Sequence, residues 1–270
     1  MSIFFKVCVV IPCFNHGEFL SEAIESVALA RRRDLEIVIV DDGSTDENTR
    51  QKTEGLAAQG FHVIRQANGG LASARNVGIA TTSAEYIFPL DADDRMRTEW
   101  LDKGIGILDS QPQVGVVYGD AERFGVRAGR WRAGLFDWRK LIVDKFICAS
   151  TLFRRQVWED NRGYDGTMPV QGFEDWDFLL GALERGWKFS YVPEIFFDYR
   201  QHQDSMLTQA RQSYDAVREF VVRKHARLYL ESLIAAEAER QSVRSTARIL
   251  RGLLASRIRA RLDSLFGRTQ

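Results

Sequence analysis

Cysteine is scarce: three residues in 270, at positions 8, 13 and 148. Their spacing matches no metal-binding pattern and an odd number cannot all pair, which excludes a disulfide scaffold and fits a reducing cytosol. Long apolar runs are missing as well, and none approaches the roughly 18 residues needed to span a bilayer. The opening MSIFFK has neither the charged start nor the longer apolar stretch of a signal peptide. The expected location is therefore cytoplasmic, with peripheral contact at the inner face of the cell membrane as a variant. An excess of one charge is absent too. Lys plus Arg equals Asp plus Glu at 37 each, so nothing points to nucleic acid. No internal repeat or low-complexity segment interrupts the chain.

What the chain does have is length, enough for one large α/β domain with an appendage and a sizeable core. Its charge is also unevenly spread: from Arg240 onward there are eight Arg and one acid, Asp263. Short apolar runs at 6–12, 35–40, 61–65 and 86–90, bounded by turn residues, read as buried strands of a parallel sheet. Between them lie helical patterns. The first carries Leu20, Ile24, Val27 and Ala28; the second follows Ser44 or Thr45 as cap, with Asp46 and Glu47 favourable in its first turn; the third, at 71–80, is opened by Gly69-Gly70. Strands alternating with helices predict a doubly wound α/β sheet. Further on come a helix at 98–110, a strand at 114–118, an irregular stretch at 124–134, a helix at 174–185, and short strands at 189–192 and 195–199. After residue 208 the chain is Gly-poor and helical, so the expected domains are 1–208 and a helical extension, 209–270.

Two acidic clusters sit directly behind apolar runs: Asp41-Asp42-Gly43-Ser44 and Asp91-Ala92-Asp93-Asp94. In such sheets ligands bind at the carboxyl ends of the strands. A dinucleotide fold would place a Gly-x-Gly-x-x-Gly cradle after the first strand, but Pro12-Cys13-Phe14-Asn15-His16-Gly17 stands there, and no Walker loop exists. A diphosphate must then be neutralised another way, and carboxylates holding a metal would do it. In an extended D-x-D both acids face one side, which gives Asp91 and Asp93 that task. The competing reading is that these acids cap the helix at 98–110. No Lys or Arg is interleaved before Arg95, which argues against a structural salt bridge.

The order VVIPCFN (9–15), VDDGSTD (40–46), ANGGLASARNVGI (67–79), LDADD (90–94), GFEDWDF (172–178) and YRQHQDS (199–205) resembles family 2 of the inverting, nucleotide-sugar-dependent glycosyltransferases. The resemblance covers about residues 5–208 and implies the GT-A fold, a mixed and mostly parallel sheet flanked by helices. It implies that Asp41, with Asp42 beside it, hydrogen-bonds the nucleotide base. Pro12, Phe14 and Asn15 would form the loop beneath that base. Asn68, Gly69 and Arg75 would lie beside the nucleotide, with a solvated helix-face Arg as the alternative for Arg75. Asp91 and Ala92 would approach the ribose, Asp93 the metal and Asp94 the donor sugar. His202, in Arg200-x-His-x-x-Ser205, would reach the metal or the diphosphate. Mixed carboxylate and imidazole ligation suits Mn²⁺ better than Mg²⁺.

Direct displacement needs a base on the acceptor hydroxyl and charge stabilisation on the departing diphosphate. By resemblance Asp175 is that base, and Glu174 orients it or touches the acceptor; both acids also suit a helix N-terminus on general grounds. Trp176 is read as core rather than as a sugar platform. The implied function is transfer of a single sugar, UDP-linked, to a carbohydrate or lipid-linked acceptor with inversion, in bacterial surface polysaccharide or glycoconjugate synthesis. The alternatives are a sugar-1-phosphate nucleotidyltransferase and a non-catalytic nucleotide-sugar-binding protein. Residues 119–145, with Trp131, Phe136 and Trp138, match no motif. In the basic tail Leu250, Leu254, Ile258, Leu262 and Phe266 recur every four residues, which suits either an anionic membrane or packing on the domain or a second subunit.

Overall fold

Every residue of the run VCVVIPC is buried, and the run forms strand β1 (Val7–Cys13) at the centre of the sheet. A strand covered on both faces needs apolar side chains at successive positions, which this segment supplies. The computed structural model describes residues 5–203 and 213–266. After β1 come α1 (Gly17–Ala28), β2 (Leu35–Asp41), α2 (Glu47–Ala58), β3 (His62–Arg65), α3 (Leu71–Thr81) and β4 (Tyr86–Pro89). Strands β1, β2, β3 and β4 pair in parallel, in the order β3-β2-β1-β4. The register sets Cys13 beside Asp41 and Val10 beside Pro89, so the chain segments leaving β1, β2 and β4 emerge at one sheet edge. The strand order reverses about β1, which opens a crevice there.

The second half is more irregular. It contains β5 (Arg95–Met96), α4 (Leu101–Ser110), β6 (Val114–Gly125), β7 (Gly129–Trp131), α5 (Trp138–Val143), β8 (Leu152–Arg154), α6 (Arg155–Asn161), α7 (Glu174–Glu184) and β9 (Lys188–Gln201). Strands β8, β6, β9 and β5 extend the sheet beyond β4, with β7 paired to β6, giving a mixed sheet of nine strands among the described residues. The expected strands at 189–192 and 195–199 are one long strand, β9, whose parallel ladder with β6 carries register shifts around residues 118–121. A bulged ladder of that kind breaks the period-two pattern and hides its continuity. The helix after the second strand is capped by the Asp46 side chain, which accepts from Thr49 N at 2.8 Å, and not by Ser44 or Thr45. Helix α4 begins at Leu101 with Trp100 as its N-cap and no side-chain cap bond, so the acids at 91–94 do not cap it.

Trp100 ties β9 to the start of α4. Its ring stacks on Phe196 with centroids 3.8 Å apart, and its indole N–H donates to the Phe196 carbonyl at 2.9 Å. Burying an aromatic side chain of this size is worth roughly 1.5–3 kcal/mol. The short pair β5–β9 sets Arg95 opposite Asp198 and so delivers residues 199–202 to the acids at 91–94.

The expected boundary at 208 lies outside the described residues. Contacts divide the chain between His225 and Ala226, so that helix α8 (Tyr214–Lys224) belongs with the sheet and α9 (Ala226–Phe266), 41 residues long, forms a unit by itself. Helix α8 buries Val217 and Val221. The Lys224 ammonium at its end donates to Asp177 at 2.8 Å, and His225 lies within hydrogen-bond distance of Asp177 and Glu184 of α7, at 3.0 and 2.8 Å. Asp177 therefore fastens α7 to α8. Among the described residues no helix is long and apolar enough to cross a membrane.

Candidate active site

A cleft of about 860 Å³ opens at the carboxyl ends of β1 and β4. Its floor at one end is the loop Pro12–Cys13–Phe14–Asn15, where the Phe14 ring is 43% exposed and unstacked by any other aromatic among the described contacts. Asn15 adopts a left-handed φ of 55°, which Asn tolerates better than most residues. Its side-chain oxygen accepts from Thr45 N and Asp46 N at 2.8 and 3.2 Å, and its own N–H donates to Ser44 Oγ at 3.0 Å. Asn15 thus locks the loop after β1 to the loop after β2. Asp42 lines the cleft and accepts from Gly69 N and Gly70 N at 2.9 and 2.8 Å and from Gln66 Nε2 at 2.6 Å. Gly43, at φ 74°, must be glycine: a Cβ there would lie 2.6 Å from Asn68 N. Asp41 is fully buried and does not line the cleft. Its Oδ1 accepts from Ser44 N at 2.9 Å, Arg65 lies 3.6 Å from Oδ2, and Oδ2 accepts no hydrogen bond.

The acids behind β4 are distributed among three partners. Asp91 Oδ1 accepts from Arg75 at 2.8 Å; Asp93 Oδ2 lies 2.9 Å from His202 Nε2; Asp94 Oδ1 accepts from Arg200 N at 2.8 Å. The expectation that Asp91 stands outside any salt bridge is corrected here, because its cation comes from α3, far from it in sequence. Arg75 is 1% exposed and also donates to Glu174 at 2.6 Å. It is not a solvated helix-face Arg. Burial disfavours its charge, but Asp91 and Glu174 outweigh burial and raise its pKa. Removing one partner from a buried ion network of this kind typically costs about 3–5 kcal/mol. Burial, then repulsion from Asp93 and Asp91, pushes the Asp94 carboxyl well above the carboxylate range.

A divalent cation fits this cluster only in part. Asp93 and His202 offer a carboxylate and an imidazole side by side, and Asp91 stands next to them with one oxygen on Arg75. Among the described residues no three His, Cys, Asp or Glu side chains are gathered tightly enough to cage an ion. The donor set therefore suits a metal whose remaining ligands are phosphate oxygens.

In the same cleft, helix α7 begins with Glu174 and Asp175, both nearly inaccessible. Glu174 has both oxygens engaged, one by Arg75 and the other by Gly172 N at 2.7 Å. Burial raises its carboxyl, yet Arg75 and Lys145 overcome burial and the net shift is downward. Asp175 accepts from Trp176 N at 2.9 Å through Oδ1, and the Lys145 ammonium lies 2.5 Å from Oδ2. Burial raises the Asp175 carboxyl, Lys145 opposes, Glu174 adds to the rise, and the net shift is upward. Trp176 is fully buried and donates to the Leu141 carbonyl at 2.6 Å, so it presents no face to a sugar.

Of the residues expected at the site, Pro12, Phe14, Asn15, Asp42, Asn68, Arg75, Asp91, Ala92, Asp93, Glu174, Asp175 and His202 line the one cleft. Asp94 instead lines a recess of about 50 Å³ beside it, with Trp131, Cys148 and Tyr199, while the buried Asp41 and the exposed Gly69 do not line the cleft. Ser205 falls outside the described residues. Lys145 and Gln171 also line the cleft and were not anticipated, because each comes from a segment without periodicity or motif; Tyr199, which opens YRQHQDS, lines it too.

The profile of glycosyl transferase family 2 matches residues 8–168, more than half of the chain. The chain belongs to glycosyltransferase family 2. That membership sets it apart from the sugar-1-phosphate nucleotidyltransferases. An uncharacterized glycosyltransferase from Nostoc sp. is 39% identical over 116 residues, 42% of this chain and 36% of that protein. Chondroitin synthase from Escherichia coli is 25% identical over 205 residues, 74% of this chain and 29% of that protein. The chain therefore spans about a third of the length of these curated relatives. Among solved structures, S. aureus TarS 1–349 in complex with UDP-GlcNAc superposes with a TM-score of 0.60 at 20% identity, covering 76% of this chain and 61% of that one. The likeness shows the GT-A fold, a mixed sheet with its longest ladders parallel.

Proposed function

We propose that this family 2 glycosyltransferase transfers a single sugar from a UDP-sugar to an acceptor hydroxyl with inversion at the anomeric carbon. The observation that carries the reading is the joint presence, in one cleft, of the buried Asp175 carboxylate and the Asp93–His202 pair. A base and a diphosphate anchor on facing sides are what direct displacement requires. Phe14 offers a platform for the nucleobase, with Asp42 on the same cleft wall; Asp41, fully buried, does not reach it. UDP is the nucleotide favoured because the TarS neighbour was solved with UDP-GlcNAc. A divalent ion on Asp93 and His202, Mn²⁺ rather than Mg²⁺, would neutralise the departing diphosphate. Asp175 Oδ2 takes the proton of the acceptor hydroxyl while that oxygen bonds to the anomeric carbon and the bond to the diphosphate breaks. Glu174, with both oxygens bonded, orients Arg75 and the start of α7. Chondroitin synthase among the relatives favours a polysaccharide or glycoconjugate acceptor.

UDP with Mn²⁺ should therefore stabilise the folded protein. At about a hundred times its Kd, a ligand contributes roughly 2.7 kcal/mol, or roughly 5–10 °C in Tm for a chain of this size. A melting curve that ignores every nucleoside diphosphate, with and without Mn²⁺, would defeat the proposal.

For the tail we propose contact with anionic lipid. Helix α9 exposes Leu230, Leu233, Ile234, Leu250 and Leu254, and the chain carries eight Arg from residue 240 onward. Each basic residue near an anionic surface is worth about 1 kcal/mol, and salt screens that attraction. Vesicles containing anionic lipid should retain the full chain at low salt and release it at high salt, and a chain ending at Arg240 should bind much less. Retention that salt does not alter, or a truncated chain that changes oligomeric state, would make α9 a packing element.

A further inference from the structure

Lys145 is a largely covered cation in the cleft to which the proposed reaction assigns no task. Its ammonium lies 2.5 Å from Asp175 Oδ2 and 3.4 Å from the Gly172 carbonyl, and its side chain is only 14% exposed. The approach is imposed from outside the residue itself. Helix α5 is held by the Trp176 indole on the Leu141 carbonyl at 2.6 Å, and Asp144 is held by the Tyr214 hydroxyl at 2.8 Å. Lys145 follows at once, so α7 and α8 together fix where its charge can go.

The charged groups facing Asp175 are Lys145, Glu174 and Arg75. Arg75 is already shared between Asp91 and Glu174, whereas the ion pair of Lys145 is with Asp175. A carboxylate 3% exposed would otherwise carry its charge at a large desolvation cost.

We propose that Lys145 is a positioning residue for the catalytic base, holding the Asp175 carboxylate charged and fixed in orientation until an acceptor hydroxyl reaches Oδ2. The inference rests on the reading of Asp175 as that base. The charge balance adds a second consequence. When Asp175 takes the hydroxyl proton it becomes neutral, and the positive charge of Lys145 is left uncompensated in a cleft where a diphosphate anion is departing. A charge masked in the ground state and exposed in the transition state favours the transition state. The downward pull of Lys145 on the Asp175 carboxyl, second only to burial among the influences on it, agrees with this role.

The test compares wild type, Lys145→Met and Lys145→Arg by three measurements. UDP affinity is read by calorimetry, UDP release from UDP-sugars by rate across pH, and the titration of the Asp175 carboxyl by isotope-edited NMR assigned with Asp175→Asn. In Lys145→Met the Asp175 titration and the acid limb of the rate profile should both move to higher pH. The rate should fall about tenfold or more on the acid side, and UDP affinity should hold within about twofold. Lys145→Arg should recover most of the loss. If Lys145→Met melts below the assay temperature, Lys145→Gln, which keeps a polar tip and drops the charge, carries the same comparison. A wild type that binds UDP, with Asp175 titrating alike in all variants, overturns the role of Lys145 alone. A wild type that binds no UDP overturns the proposed function and the role with it.

Discussion

Replacing Asp175 by Asn is expected to cut turnover by about a hundredfold to ten-thousandfold while UDP and metal still bind. The substitution keeps the shape and the acceptor for Trp176 N, whose bond to Oδ1 is 2.9 Å, and removes the proton-accepting charge. It also leaves Lys145 without its counter-ion, so the melting temperature should be compared in parallel. Equal losses in UDP affinity and rate would make Asp175 a structural acid. An unchanged rate would move the base elsewhere, although Glu174, with both oxygens engaged, is poorly placed to take over.

The same residue sets a pH dependence with a definite sign. Burial raises the Asp175 carboxyl and Lys145 only partly offsets the rise. The base works in its ionised form, so activity is present above the raised value and lost as pH falls through it. The acid limb of kcat/KM should therefore lie above the ordinary aspartate value. A limb at or below that value would assign it to another group.

The second large effect is expected at Asp93. Asp93→Asn, or EDTA added to the wild type, should weaken donor binding and turnover by about a hundredfold or more. A Lewis acid on a leaving diphosphate supplies several kcal/mol, and each 1.36 kcal/mol is a factor of about ten. The change removes one of two adjoining donors, Asp93 Oδ2 and His202 Nε2, 2.9 Å apart. Mn²⁺ titrated into the wild type in the presence of UDP should bind once per chain, and the variant should lose that binding. Full activity in EDTA would remove the metal from the mechanism and leave Asp93–His202 as a direct pair.

Much of the fold was legible because its first half is regular. The buried strands β1, β2 and β4 are short apolar runs, and the acids of VDDGSTD and LDADD follow them immediately. Parallel strands must end at a common edge, so the gathering of those acids followed from the pattern alone. The irregular second half was less legible. Strand β8 and helix α6 adjoin as a three-residue strand and a seven-residue helix, too short to show a period. The bulged β9 looked like two strands for the reason given above.

Residue type and order determined the strand edge, the cleft acids and the helix that carries Glu174 and Asp175, because those depend on local periodicity and neighbouring residues. Partnership was decided only by the tertiary structure. Nothing local says that Arg75 bridges Asp91 and Glu174, that Asp93 meets His202 109 positions away, or that Lys145 lies on Asp175. Each of these is a contact between groups from different elements, chosen when burial strips water from a charge and leaves an opposite charge as the cheapest replacement.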